Sequence, residues 1–238
     1  MTLKEMLAIW RGRMDDIAKP YLWSDAEGVF FANEAENEAC VRASLLEEDS
    51  VDSALVNIDG EADVAEYSLD PRIIEVRSAM WGGHFLEPVS RSQLEDQSVR
   101  TRYGGYFEHR EWAPNVDWST LTGTPRLFIS PQEKYLTIVR KPTVAAPIRL
   151  SAYRLPLEPM DLTDPDRGPE IPSRYHLFLI DWMEHLALDI TDPDKGNPER
   201  AAKKEVSFTT KFGVRHDADT QRTRKEKRSN QVRMNPSW

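Results

Sequence analysis

A chain of 238 residues, 39% apolar and 30% charged, is long enough to bury one large core or two small ones. Its longest apolar runs, such as residues 177–180, fall far short of the roughly 20 residues a membrane span requires, which excludes a helical membrane protein. The formal net charge of −9 hides an asymmetry: from Arg200 onward eleven Lys or Arg face four Asp or Glu, a balance of +7, so the first 199 residues carry −16.

An acidic body repels nucleic acid, whereas a basic end seeks an acidic protein surface. The opening Met-Thr-Leu-Lys-Glu lacks the apolar core of a secretory signal, so no targeting segment is expected. The lone Cys40 cannot close an internal disulfide and, with Ala39 and Val41 beside it, reads as a small core thiol.

Thr2-Leu-Lys-Glu5 has the form of a capping box, and Leu3, Met6, Leu7, Trp10, Met14 and Ile17 follow at helical spacing, so an amphipathic helix is predicted up to a stop at Pro20. Ser24-Asp-Ala-Glu27 repeats the signal and opens a second helix to about Leu46. One face of it carries Ala26, Phe30, Val41 and Leu45. The small residues Ala32, Ala35, Ala39 and Ala43 share a similar spacing and would admit another helix closely.

From about Ala54 to Leu157 the pattern changes to short β-type runs between Gly, Pro, Asp and Asn. Strands are predicted at residues 54–58, 73–80, 84–90, 126–130, 135–140 and 148–155. Ile74, Val76, Ser78 and Met80 would share one strand face, with Glu75 and Arg77 on the other. Gly82-Gly83 is a two-residue hairpin signal. With no helix long enough to cross between parallel strands, the expectation is an antiparallel sandwich or small barrel. Residues 99–124 hold Tyr103, Tyr106, Phe107, Trp112 and Trp118 among glycines and charges, and read as a loop exposed for contact.

Residues 161–169, rich in Asp and Pro, read as a linker. Ile171-Pro172 then opens a third helix with Tyr175, Phe178, Leu179, Trp182, Leu186 and Ile190 as its apolar stripe. After a turn, Asn197 and Pro198 suit the N-cap and first position of a fourth helix, ending near Gly213 after Phe208 and Phe212. Val206, Ser207, Thr209 and Thr210 are mediocre helix formers within it. Residues 214–238 have almost nothing to build a core from, and would either stay solvated or gain order on a partner with Trp238 as an anchor.

A search for chemistry gives little. His84, His109, His176, His185 and His216 form no helical metal pair at i, i+4. Asp192-Pro-Asp194-Lys-Gly196 places Lys195 where a calcium loop needs an oxygen ligand, and Glu199 comes too early to close it. Neither double glycine belongs to a phosphate-binding loop, and there is no nucleophile elbow. No catalytic residue, metal or cofactor is assigned, and the chain is read as a non-enzyme.

One ordered set of segments carries a resemblance. It runs from Met14-Asp-Asp-Ile17 and Trp23-Ser-Asp25 through Asn33-Glu34-Ala35 and Arg42 to Tyr67-Ser-Leu-Asp-Pro71 and Ile73-Ile-Glu-Val-Arg77. It continues with Leu121-Thr-Gly-Thr-Pro125, Pro142-Thr143, Tyr153-Arg-Leu-Pro156 and Pro169-Glu-Ile-Pro172. Tyr175-His176, Asp181, Asp192-Pro-Asp-Lys and Phe212-Gly213 complete it. In this order the chain resembles the adaptor, or head-to-tail connector, proteins of tailed bacteriophages, although Trp182 and Met183 are bulkier than that pattern expects.

The resemblance implies an α+β fold: a helical bundle formed by N- and C-terminal helices (residues 1–50 and 161–213), an inserted antiparallel β domain (51–160) and an extended basic tail (214–238). It also implies a structural protein of the virion, made in the host bacterial cytoplasm. That protein would form a homo-oligomeric ring, a dodecamer, at the head-to-tail interface. Its partners would be the portal protein and tail proteins (nozzle, fibre or spike), with DNA passing through the channel without specific binding and no membrane involved. Portal binding would fall to Arg215, Arg222, Arg224, Lys225, Lys227, Arg228, Arg233 and Trp238, and tail-protein contact to Tyr103, Tyr106, Phe107, Trp112 and Trp118. A competing expectation from the same aromatic loop is a β-domain binding module for a glycan or host surface.

Overall fold

The computed structural model describes residues 1–91, 94, 118–130, 134–190 and 196–215. By internal contacts the described chain divides into two compact units: Met1–Leu46 with Arg154–Arg215, and Glu47–Tyr153.

The first unit contains four α-helices among its described residues. Helix α1 (Leu3–Met14) starts at the predicted capping box, with both reciprocal bonds between Thr2 and Glu5 present. The N–H groups of Leu3 and Lys4 donate to the carbonyls of Arg167 and Pro165 at 2.8 and 3.0 Å. The first-turn donors that a helix cannot satisfy internally are thereby met, and residues 161–169 carry structural bonds where a linker was expected. The helix ends at Met14, well before Pro20. Asp15 turns left-handed at φ 59°, and the Asp16 carboxylate accepts the N–H groups of Leu22 and Trp23 and pairs with buried Arg11. A local polar knot, rather than proline, stops the helix, and Ile17 falls outside the apolar stripe at 71% exposure.

Helix α2 (Asp25–Ala43) also opens with its capping box complete. It ends three residues before the expected Leu46, where Ser44 adopts φ 50°. Of its two candidate faces the small-residue one is buried: Gly28, Phe31, Ala32, Ala35, Ala39 and Cys40 face the core. The face with Phe30 is not, that ring being 59% exposed. Close approach decides this. A Cβ on Gly28 would lie 2.7 Å from Leu7 Cδ2 and 3.2 Å from Trp10 Cζ3, so the large side chains of the neighbours fill the space the small ones leave.

Helix α3 (His176–Leu188) follows a 3-10 turn at Ser173–Tyr175 and is buried over a wider arc than the predicted stripe, including Ile180, Met183 and Ala187. Helix α4 (Pro198–Phe212) has Asn197 as its N-cap, accepting from Arg200 N, and Gly213 at its end. Phe208 stacks on Trp182 and Phe212, with ring centroids 4.8 and 4.5 Å apart. The β-leaning residues of α4 are offset by tertiary bonds, for Ser207 donates to Asp181 at 2.8 Å and Thr209 accepts from Arg42 at 2.9 Å.

The second unit holds eight strands among its described residues: β1 (Glu47–Glu48), β2 (Asn57–Gly60), β3 (Glu66–Ser68), β4 (Ile73–Trp81), β5 (His84–Val89), β6 (Leu127–Ile129), β7 (Tyr135–Val139) and β8 (Ala146–Arg154), whose last residue belongs to the first unit. They hydrogen-bond in the order β1-β8-β4-β5-β6-β7-β3, and β2 also pairs with β8. Gly82 (φ 53°) and Gly83 (φ 85°) form the expected β4–β5 hairpin, with Trp81 opposite His84.

The sheet is mixed, not antiparallel throughout, because β5 and β6 run parallel with Glu87 opposite Leu127 and Val89 opposite Ile129. Parallel neighbours need a long connection rather than a tight turn, and 37 residues separate β5 from β6 in the chain. Short, glutamate-bearing β1 and β3 gave no apolar signal in the sequence. On β4 the core takes Ile73, Val76, Ala79 and Trp81, so of the predicted face Ile74, Val76, Ser78 and Met80 only Val76 is fully buried. The burial changes parity between Ile73 and Val76 and again between Val76 and Ala79, so no single alternation describes the strand.

Its main core gathers Trp81, Phe128, Leu136, Ile148 and Leu150. Gly60 allows the sheet to close over Trp81: a Cβ there would lie 2.5 Å from the Trp81 ring and against the Ala146 carbonyl. The backbone carbonyl cannot rotate away, so Gly60→Ala is expected to destabilise this unit by about 1–3 kcal/mol, read as a lower urea midpoint for its unfolding transition.

Candidate functional site

The sequence places the candidate contact residues in two groups, and the structure describes one member of each. Arg215 and Trp118 are described; Arg222, Arg224, Lys225, Lys227, Arg228, Arg233 and Trp238, and Tyr103, Tyr106, Phe107 and Trp112, lie outside the described residues.

Arg215 lies at the root of the basic segment, three residues after α4. Its Nη1 donates to Glu38 Oε2 on α2 at 3.0 Å. The other carboxylate oxygen of Glu38 accepts from Arg42 Nε at 2.7 Å, one helical turn along. Arg42 Nη1 in turn donates to Thr209 Oγ1 at 2.9 Å and to the Gly213 carbonyl at 3.2 Å. Its guanidinium lies 4.6 Å from the Trp182 ring centroid and 5.2 Å from that of Phe208. Arg42 is 3% exposed, Glu38 8% and Arg215 63%. Charge-assisted bonds and ring stacking are the interactions a planar guanidinium makes best. Sequence reasoning missed Glu38 and missed this role for Arg42; the i, i+4 Glu–Arg spacing on α2 was the available signal.

Trp118 is half-buried on a 3-10 turn, Trp118–Thr120. It packs on the smaller core formed by Val89, Leu94, Leu121, Leu127, Ile129 and Val139, and the Arg91 guanidinium is 5.9 Å from its ring. Beside it lies a groove of about 450 Å³ lined also by Asp63, Glu66, Thr137, Arg140 and Lys141. Both charge signs are present.

Several buried charged groups of the first unit are met by partners within it. Glu184, with no exposure, accepts from Lys204 Nζ at 3.0 Å, Arg200 Nη2 at 3.2 Å and Arg13 Nη1 at 3.3 Å. Asp181 shares Arg13 and Lys204 and takes the Ser207 hydroxyl. His176 Nε2 lies 2.7 Å from the Ile171 carbonyl, and His185 Nδ1 lies 3.1 Å from that of Ala201. Among the described residues no three His, Cys, Asp or Glu side chains are grouped so as to hold a metal.

Glu36, 2% exposed, accepts the N–H groups of Glu170 at 2.5 Å and Ile171 at 3.1 Å through Oε1. Burial pushes its pKa up to about 7, against the pull of those two donors and with help from the Glu170 carboxylate. One turn along, buried Cys40 is the core thiol expected; burial, with Glu36 and Glu170 adding to it, pushes its pKa up to about 12.

The described chain thus consists of a helical unit and a β unit, and a comparison with known families places it. The SU10 adaptor protein model matches residues 1–234, and the chain belongs to this family of phage head–tail adaptors, which makes it a virion component. No curated protein matches the chain.

Glu36 provides a pH test. Its folded-state pKa of about 7 lies above the ordinary 4.5, so folding takes up a proton between these values. The group's contribution is complete below pH 4.5 and is lost as the pH rises through 7, a change of ~3 kcal/mol. Glu36→Gln keeps an acceptor for both N–H groups. The difference in unfolding free energy between pH 5 and pH 8.5, from urea titrations, should shrink by about that amount in the variant.

Proposed function

We propose that this adaptor assembles as a ring, a dodecamer, between portal and tail, extending the DNA channel and giving tail proteins their attachment surface. The observation that carries this reading is the charge division within a family match spanning nearly the whole chain: a body of −16 and a C-terminal stretch of +7 that begins in α4. An acidic channel wall repels DNA phosphates and so leaves passing DNA ungripped. The basic segment 214–238 then serves as the portal-binding element, with Arg215, Arg222, Arg224, Lys225, Lys227, Arg228 and Arg233 as its charges and Trp238 as its anchor. Exposed basic contacts contribute only about 0–1 kcal/mol each, but a ring repeats them in every subunit and multivalency multiplies the effect. The role is structural, with no reaction assigned.

Co-assembly with the portal of the same genome, followed by electron microscopy, tests the proposal. The full chain should cap the portal as a ring, and a version ending at Gly213 should not. Rings from both would retain the adaptor and remove the portal-binding role of the segment. No association at any salt concentration would instead favour a β-domain module for a glycan or host surface, which Trp112→Ala and Trp118→Ala should then abolish.

A further inference from the structure

The chain beyond α4 does not simply continue from a helix end. Gly213 leaves the helix at φ 88° and ψ 175°, a backbone conformation that L side chains rarely adopt. Space is not the reason for a glycine, because a Cβ there would meet nothing within 4 Å. The turn directs the next residues onto α2, where Arg42 holds the Gly213 carbonyl and Glu38 holds Arg215.

Two features separate this arrangement from an ordinary surface ion pair. Arg42 is fixed from several sides at once, by Trp182, Phe208, Thr209 and Glu38. Glu38 is therefore a pre-oriented acceptor: its Oε1 is engaged by Arg42 and its Oε2 is aimed at Arg215. The usual entropic cost of immobilising two long side chains is largely met by the fold itself, which is where exposed pairs ordinarily lose their value. Arg215, in contrast, is 63% exposed, so salt can screen its side of the contact.

From this geometry we infer that Glu38 and Arg42 are positioning residues for the C-terminal segment. They hold residues 213–215 on α2 in the free protein, so that the segment departs from one fixed point of the helical unit. This rests on the reading of the segment as the portal-binding element. A fixed root narrows the volume the segment explores and raises its effective concentration at a docking surface, whereas a released root lowers it. The expected consequence of release is a loss of portal affinity of about three- to tenfold per subunit.

The test uses the full chain. Trypsin cleavage after Arg215 is measured in the unmodified protein and in Glu38→Gln, normalised to a free reporter peptide in the same tube, with melting followed by circular dichroism. Release of the clamp should accelerate this cleavage severalfold in Glu38→Gln while the melting transition remains cooperative. Raising the salt should accelerate it in the unmodified protein. Equal normalised rates in the two folded proteins overturn the inference. If Glu38→Gln does not fold, the salt series decides, and a normalised rate that salt leaves unchanged overturns it. Portal co-sedimentation separates the two readings. Faster cleavage without any portal binding by the full chain would keep the clamp and remove the portal role. Portal binding lost on truncation at Gly213, together with unaltered cleavage in Glu38→Gln, would do the reverse.

Discussion

A carboxylate with no solvent exposure, Glu184 on α3, is held among Arg13 of α1 and Arg200 and Lys204 of α4. Burying a charge costs several kcal/mol unless partners and hydrogen bonds compensate it. Asp181, one turn earlier, shares two of those cations and adds the Ser207 hydroxyl. The three cations are only partly buried, so water stabilises their outer sides while their inner sides neutralise the acids. This network specifies how helices from opposite ends of the chain are aligned. A purely apolar contact would tolerate sliding, whereas misplacing α4 by one turn would take two of its three cations from buried Glu184.

The same logic recurs around α2. Asn33 pairs with both the N–H and the carbonyl of Met160, at 2.8 and 3.0 Å, and Glu36 caps two successive backbone donors. Glu38 and Arg42 take the end of α4. Successive turns of one helix thus fasten three separate stretches of the later chain, while its Gly28 lets Leu7 and Trp10 of α1 pack closely. Directional polar bonds define internal geometry where dispersion alone does not.

The two units divide these tasks differently. The helical one uses buried ions and caps, and the β unit relies on an apolar core around Trp81 and Phe128, with β6 parallel to β5. Among the described residues the strand order ends in short strands bearing glutamates, Glu47–Glu48 and Glu66–Ser68, a composition that discourages unwanted pairing at a sheet edge.

What the sequence determined by itself was local. Thr2 with Glu5, Ser24 with Glu27, and Asn197 with Pro198 placed three helix starts, because a cap is chosen by residues within one turn. Gly82-Gly83 placed the hairpin, because positive φ at two successive positions admits few alternatives. Gly213 placed the end of α4, and the isolation of Cys40 among small residues placed it in the core. The order of segments was enough to suggest the adaptor family. Of the candidate contact residues, Arg215 and Trp118 fall among the described ones, and the structure adds Glu38 as a partner of Arg215.

Tertiary structure decided the rest. Which face of α2 is buried, the one with Phe30 or the one with Ala35, depended on how near its neighbours could come, as Leu7 and Trp10 of α1 do at Gly28. Asp16 ended α1 early by gathering donors from residues that a periodicity argument treats as the next segment. The parallel pairing of β5 with β6 arose across a long connection that no local pattern encodes. Glu36, Glu38 and Glu184 look alike in an acidic sequence, each one more solvated carboxylate. Only the positions of Ile171, Arg215 and the three cations of α1 and α4 distinguish them, since the state of a buried charge is set by partners distant along the chain.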